Sequence, residues 1–216
     1  MDYTSLKKRH RAEREGYPES LSLRVHRSLS WLDRAEQCED VDGRFIFLWI
    51  AFNAAYATEI DAQYRLSEQV TFRNFLGKIF ELDTEHELES LVWKEFSGPI
   101  RLILDNQYIC PSFWEYVKGN LSEEEWIDKQ SAEKRFANHA LASRNTSDLL
   151  GVVLSRVYTL RNQLVHGFAT WNGSVNRDQL RDSTNMMMKL VPLIVSLMMD
   201  HPETLWGDAG YPVIRT

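Results

Sequence analysis

Glycine and proline are scarce, 10 and 6 of 216 residues, against average usage of about 7% and 5%. So few turn formers leave the chain without the evenly spaced turn signals of a β-sandwich, and the deficit favours helices. Cysteine is scarcer still. Cys38 and Cys110 show no C-x-x-C spacing and could form at most one bridge, which a reducing compartment would not maintain, so both read as packing residues. Long apolar runs are missing too: Phe45 to Phe52 and Leu190 to Met199 fall well short of the roughly 20 residues that span a bilayer, and no membrane partner is expected. Lys7, Lys8, Arg9 and Arg11 are followed by no apolar run before Gly16, so no secretory signal is visible and a cytoplasmic location is expected. His10, His26, His86, His139 and His201 share no metal-ligand spacing, and no H-E-x-x-H or Cys-rich cluster occurs; no metal site is assigned. The phosphate-cradling patterns G-x-x-x-x-G-K-[ST] and G-x-G-x-x-G are absent as well, and no cofactor is assigned.

What is present fits a globular protein, with 44% hydrophobic and 26% charged residues. The net charge of −6 argues against a strongly basic nucleic-acid binder, yet that average conceals an asymmetry. Residues 81 to 133 carry thirteen acids against four bases, a net −9. Residues 144 to 189 reverse the sign, with Arg144, Arg156, Arg161, Arg177, Arg181 and Lys189 against Asp148, Asp178 and Asp182, a net +3. Solvated helix faces account for this pattern, and so does a phosphate-binding surface.

The periodicity divides the chain into a polar N-terminal arm, residues 1 to 20, a single helical domain, residues 21 to 202, and a C-terminal tail, residues 203 to 216. The arm is expected to be loose, or a short helix that docks late. Leu21, Val25, Leu29, Leu32 and Glu36 define an amphipathic helix with Trp31 at the stripe's edge and Arg24, Arg27 and Arg34 outside it. Phe45 to Ala57 is apolar on every side; its length and Ala-rich second half favour a buried helix over a strand. Asn53 within it must find a polar partner or face a site. Leu66 to Leu82, with Val70 and Phe72, and Leu88 to Leu104, interrupted at Gly98-Pro99, are further amphipathic stretches. Trp93, Phe96, Phe113, Trp114 and Tyr116 read as satellite core rather than a base-stacking platform. Ser122 with Glu125 has the form of a capping box. The most regular helix follows, capped by Thr146 or Ser147, with Leu149, Val153, Val157, Leu160 and Leu164 on one stripe and its end at Gly167. Trp171 to Ser174 is a turn, and a last helix runs from about Asn176 to His201-Pro202, with a kink expected at Pro192. Met186 to Met188 with Met198 and Met199 read as core that could also serve a dimer.

The informative run is Arg161-Asn162-Gln163-Leu164-Val165-His166-Gly167. Arginine is a fixed-charge fork for phosphate and histidine exchanges a proton near neutral pH, a pair sufficient for metal-free phosphodiester transfer. Asn162 is one turn from His166 and could orient the imidazole. Arg161 and His166 are five residues apart, about 140° around an ideal helix. Either the helix breaks before His166, or the site is composite and a second copy of the chain supplies the other half. A plainer reading also fits: His followed by Gly is a common helix end, and Arg161 can snorkel beside the apolar stripe.

Arg161-Asn162-x-x-x-His166, at the end of a long helix in an all-α chain and followed by another long helix, resembles the signature of the HEPN superfamily. Phe45 to Asn53 and Val175 to Asp182 also look similar to an uncharacterised bacterial branch of it. The resemblance implies an antiparallel helical bundle with additional helices and a homodimer with two motifs near its interface. For many members it also implies metal-independent endoribonuclease activity, sometimes of toxin or defence type. Arg161 would then hold the scissile phosphate, His166 would be general base or acid, Asn162 would position them, and Arg156, Arg177 and Arg181 would hold flanking RNA phosphates. It equally admits a non-catalytic module that binds a nucleotide or a partner protein. A toxin would be paired with a small neutralising partner, often a minimal nucleotidyltransferase.

Overall fold

Apolar residues recur at helical spacing through nearly the whole sequence, and the computed structural model is accordingly all-α among its described residues, 1–57 and 68–209. Leu66 and residues 210–216 lie outside them, as do the side chains of Val70 and Phe72. The helices are α1 (Tyr3–Glu13), α2 (Glu19–Glu36), α3 (Val41–Tyr56), α4 (Glu68–Leu82), α5 (Glu87–Ser90), α6 (Ser97–Asp105), α7 (Pro111–Val117), α8 (Glu123–Ser143), α9 (Thr146–Val165) and α10 (Arg177–Asp200), with a π turn at Leu91–Glu95. None of them is long and apolar enough to cross a membrane. They form two compact units, Met1–Glu87 with Met187–Thr216, and Leu88–Met186, where the sequence suggests one continuous domain.

In the first unit α2 packs along α3. Leu21, Val25, Leu29 and Leu32 are buried as the stripe requires, and Phe45, Leu48, Trp49 and Phe52 are buried on α3. Trp31, at the edge, stacks on Phe47 at 5.9 Å. Asn53 is only half-buried, so the amide that an all-round buried helix would have stranded lies on a partly open face. Asp40 caps α3 by accepting from the Gly43 N–H at 2.7 Å, and a Cβ at Gly43 would sit 2.8 Å from the Asp40 carboxylate. The N-terminal arm is helical and docked: Leu6 and His10 are buried, and Arg9 pairs with Asp200 at 2.7 Å.

Arg24 departs from the expected solvated position. It is 1% exposed, and its guanidinium donates to the carbonyls of Ala55 (3.1 Å), Ala57 (2.7 Å), Gly207 (3.4 Å) and Asp208 (2.6 Å). Two of these acceptors close the C-terminal end of α3, where backbone carbonyls lack helical partners and the helix dipole is negative. A cation placed beside the apolar stripe therefore turns inward because unbonded carbonyls await it. Burial lowers its pKa, and the Asp208 carboxylate works against that shift.

In the second unit α8 packs on α9, α7 on both, and α6 on α9. The Ser122 capping box forms as its spacing requires: the Glu125 N–H donates to Ser122 Oγ at 3.2 Å and the Ser122 N–H to the Glu125 carboxylate at 2.8 Å. The cap of α9 is Asn145 rather than Thr146 or Ser147; its side chain accepts from the Asp148 N–H at 3.1 Å. Thr146 is already inside the helix, with its hydroxyl accepting from the Trp93 indole at 2.8 Å. Phe113 meets Tyr108, Trp114 and Trp126 edge-on at 5.4, 5.3 and 5.8 Å, a packed aromatic cluster. Cys38 and Cys110 are both free and buried. Pro192 lies within a helix that is continuous from Arg177 to Asp200.

Two predictions follow from the first unit. Arg24→Met leaves the end of α3 and the 207–208 segment without their shared donor, and equilibrium unfolding in urea should show a loss of about 3 kcal/mol, with Arg24→Lys restoring only part. His10 is a pH-sensitive group of this unit. Burial, reinforced by the charges of Lys7, His26 and Arg14, pushes its pKa down to about 4. Its Nε2 meets Ser22 Oγ at 3.2 Å, and Nδ1 has no partner among the described residues. The unfolded chain binds this proton first as pH falls below about 6.5. Stability should therefore be complete above that pH and decline toward pH 4, with a shallower decline in His10→Leu.

Candidate functional site

The buried stripe of α9 runs from Leu149 to Leu160 and then gives out: Arg161 to Leu164 are half-buried, and Val165 and His166 are exposed. The informative run thus lies where the helix emerges from the second unit's core. Its end is a Schellman closure, with the Gly167 N–H donating to the Leu164 carbonyl at 3.1 Å and the Phe168 N–H to the Gln163 carbonyl at 2.8 Å. Gly167 has φ of 69°, the left-handed position that a glycine fills without strain.

This closure fixes the motif on one helix. The helix does not break before His166: it continues to Val165 with His166 as its cap, and the His166 N–H donates to the Asn162 carbonyl at 3.1 Å. Arg161 and His166 therefore leave one helix about 140° apart. Arg161 is steadied by its neighbours, with Nη1 donating to Asn162 Oδ1 at 2.9 Å and Cζ lying 5.8 Å from the Tyr158 ring centroid. The Asn162 amide oxygen is thus engaged with Arg161. His166 has the Phe168 ring beside it at 5.9 Å.

The three flanking arginines occupy different settings. Arg156 is buried, and its Nε donates to Glu133 Oε1 at 2.8 Å and its Nη1 to the Asn106 carbonyl at 3.0 Å. It reaches a cleft of about 400 Å³ walled by Arg101, Asp105, Lys134 and Asn138, which no motif residue lines. Arg177 donates to the Gly173 carbonyl at 2.9 Å. Arg181 is exposed on the next turn and pairs with Asp178 at 3.0 Å and Asp182 at 3.5 Å. These two stand on the first turns of α10, one turn apart, as their spacing requires.

Sequence reasoning missed a relay of side-chain amides. Asn106 Nδ2 donates to Asn176 Oδ1 at 3.1 Å, Asn176 Nδ2 to Gln163 Oε1 at 3.1 Å, and Gln163 Nε2 to the Tyr108 carbonyl at 2.8 Å. Gln163, one of the unspecified positions of the motif, thereby ties the end of α9 to the segment after α6 and to the residue that opens α10. The available signal was Asn176 itself, which adopts φ of 56°, a conformation Asn tolerates better than most residues. Among the described residues no group of three or more His, Cys, Asp or Glu side chains is placed to hold a metal ion.

Comparison with family models, with curated proteins and with solved structures gives no significant match.

The Arg156–Glu133 pair supplies a direct test of what supports this end of α9. Removing the carboxylate in Glu133→Ala leaves a buried guanidinium with one carbonyl, and denaturant unfolding should show a loss of about 3 kcal/mol or more. Glu133→Gln keeps an acceptor for Arg156 and should lose clearly less; equal losses in both variants would mean that the carboxylate charge, and not a neutral acceptor, is what Arg156 needs.

Proposed function

We propose that this chain is a HEPN-like, metal-independent endoribonuclease that acts as a homodimer, with a site composed from the Arg161, Asn162 and His166 of two copies. The observation that carries the reading is the unbroken helix between Arg161 and His166. The two side chains belong to the right chemistry but diverge on one copy, so a pair of copies is what lets an arginine and a histidine converge on one phosphate. Their placement at the exposed end of α9, in an all-α chain, is consistent with the motif's position in the superfamily it resembles.

In this reading Arg161 binds the non-bridging oxygens of the scissile phosphate and stabilises the charge that grows there. One His166 takes the proton from the 2′-hydroxyl, whose oxygen attacks the adjacent phosphorus as the bond to the 5′-oxygen breaks. The second copy's His166, protonated, returns a proton to that leaving oxygen. The products are a 2′,3′-cyclic phosphate and a 5′-hydroxyl, with no change of oxidation state. The internal nucleophile restricts the reaction to RNA. Asn162 positions Arg161, the partner it bonds. The exposed Arg181 could take a flanking phosphate by exchanging its local bonds to Asp178 and Asp182, and Arg177 by releasing the Gly173 carbonyl, whereas Arg156 serves the fold through Glu133 and Asn106.

The competing reading is a non-catalytic module binding a nucleotide or a partner protein, favoured by the fact that His166 also completes an ordinary helix cap. Purified protein incubated with a mixed RNA pool in excess EDTA separates them. The ribonuclease reading expects cyclic-phosphate ends, with cleavage reduced at least about a hundredfold in Arg161→Ala and in His166→Ala, both folded as judged by circular dichroism. An uncut pool, or variants as active as the parent, would move the assignment to the binding module.

A further inference from the structure

In a Schellman closure the residue after the left-handed glycine commonly lays an apolar side chain back on the helix's last turn. Here that residue is Phe168, and the positions it would cover are the polar Gln163 and Asn162. Phe168 instead stands 79% exposed, with its ring 5.9 Å from the His166 imidazole, and Trp171 three residues on is 74% exposed. Exposed Val165 and Val175 flank them. Single exposed apolar residues are ordinary, but two large aromatics and two valines, all exposed within residues 165 to 175, are a concentration of the kind found at binding surfaces.

The segment is fixed at both ends. The Gln163 carbonyl accepts from the N–H groups of Phe168 and Ala169 at 2.8 and 2.9 Å, and Asn176 is held by the amide relay. Between them the Gly173 N–H closes a turn on the Thr170 carbonyl at 3.0 Å, where a Cβ on residue 173 would come within 2.6 Å of Thr170 Oγ1. The aromatics are therefore presented by an anchored backbone, which lowers the ordering cost of any ligand that uses them.

Charge selects the ligand class. The His166 imidazole lies 5.9 Å from the Phe168 ring and the Arg177 guanidinium donates to the Gly173 carbonyl two residues from Trp171, within the stretch that carries net +3. An apolar partner surface would have to strip water from the guanidinium and the imidazole without supplying polar partners. An unpaired polynucleotide uses both features, its phosphates on the basic groups and its bases on the ring faces. We propose that Phe168 and Trp171 form a stacking platform for unpaired nucleobases, so that this site takes single-stranded RNA in preference to duplex. The proposal rests on the ribonuclease reading for the identity of the polymer. A base stacked on Phe168 brings its own phosphate beside His166, whereas a duplex keeps its bases stacked internally and offers no free face.

The test is fluorescence anisotropy with an unpaired 2′-O-methyl oligoribonucleotide, which keeps the bases but lacks the attacking hydroxyl, so that binding is read without cleavage. The same oligonucleotide in a duplex and an abasic version serve as comparisons. The unpaired strand should bind tightest, and Phe168→Ala and Trp171→Ala should each weaken it by about tenfold while affecting the abasic strand little. Leu102→Ser, which removes an exposed apolar side chain from α6, should leave affinity unchanged. Undiminished affinity in both aromatic variants, or equal affinity for duplex, overturns the platform. So does light scattering in which the same substitutions convert a dimer to monomer, which would make the patch a contact between copies. Cleavage of unmodified RNA keeps the two ideas separate: an inactive parent that still loses stacking in the variants sinks only the ribonuclease reading, and an active parent whose variants bind normally sinks only the platform.

Discussion

Helix ends govern this fold. A protein built of helices leaves backbone carbonyls unbonded wherever a helix stops near its core, and among the described residues no sheet is at hand to absorb them. The chain meets this need repeatedly with arginine. Arg24 serves the end of α3, Arg44 donates to the Cys38 carbonyl beyond α2, and Arg156 to the Asn106 carbonyl beyond α6. Each guanidinium brings several donors in a fixed fork, so one side chain satisfies acceptors from more than one segment. The C-terminal end of α9 is treated differently: it satisfies its own carbonyls through Gly167 and the residues around it, and the half-buried Arg161 bonds its neighbour Asn162 instead.

That difference explains which parts were legible in the sequence. The stripes of α2 and α9 announced themselves by periodicity, as did the Ser122 box by its spacing and the end of α9 by its glycine, because all three are local properties of one helix. Arg24 and Arg156 were not legible. Their neighbours in sequence are those of any solvated arginine beside an apolar stripe, and their burial is set by carbonyls dozens of residues away. The cap of α9 was misplaced by one residue for a related reason: Thr146 has a cap-forming side chain, but the distant Trp93 indole claims its hydroxyl.

The candidate site divides along the same line. The residue types of the motif and its position at a helix end follow from the sequence. The amide relay through Asn106, Asn176 and Gln163 does not, since amides pair without any spacing rule once the chain has folded. The exposure of Phe168 is likewise a tertiary outcome, because a phenylalanine after a helix-ending glycine is ordinarily covered. What the fold adds to the motif is therefore a frame: a closed exit from α9, an anchored return into α10, and exposed aromatic side chains on the segment between them.

The division into two units has a bearing on biosynthesis. Residues 88–186 form one unbroken stretch of chain, whereas the other unit is assembled from residues on either side of it. On the ribosome the inserted unit has all of its residues before the enclosing unit has its last helical segment, because domains tend to fold as their chain emerges. Arg9 must wait for Asp200, and Arg24 for Gly207 and Asp208, before either has its full set of acceptors. The N-terminal helices thus spend most of translation with an unfinished core, and the half of the molecule made first is the half completed last.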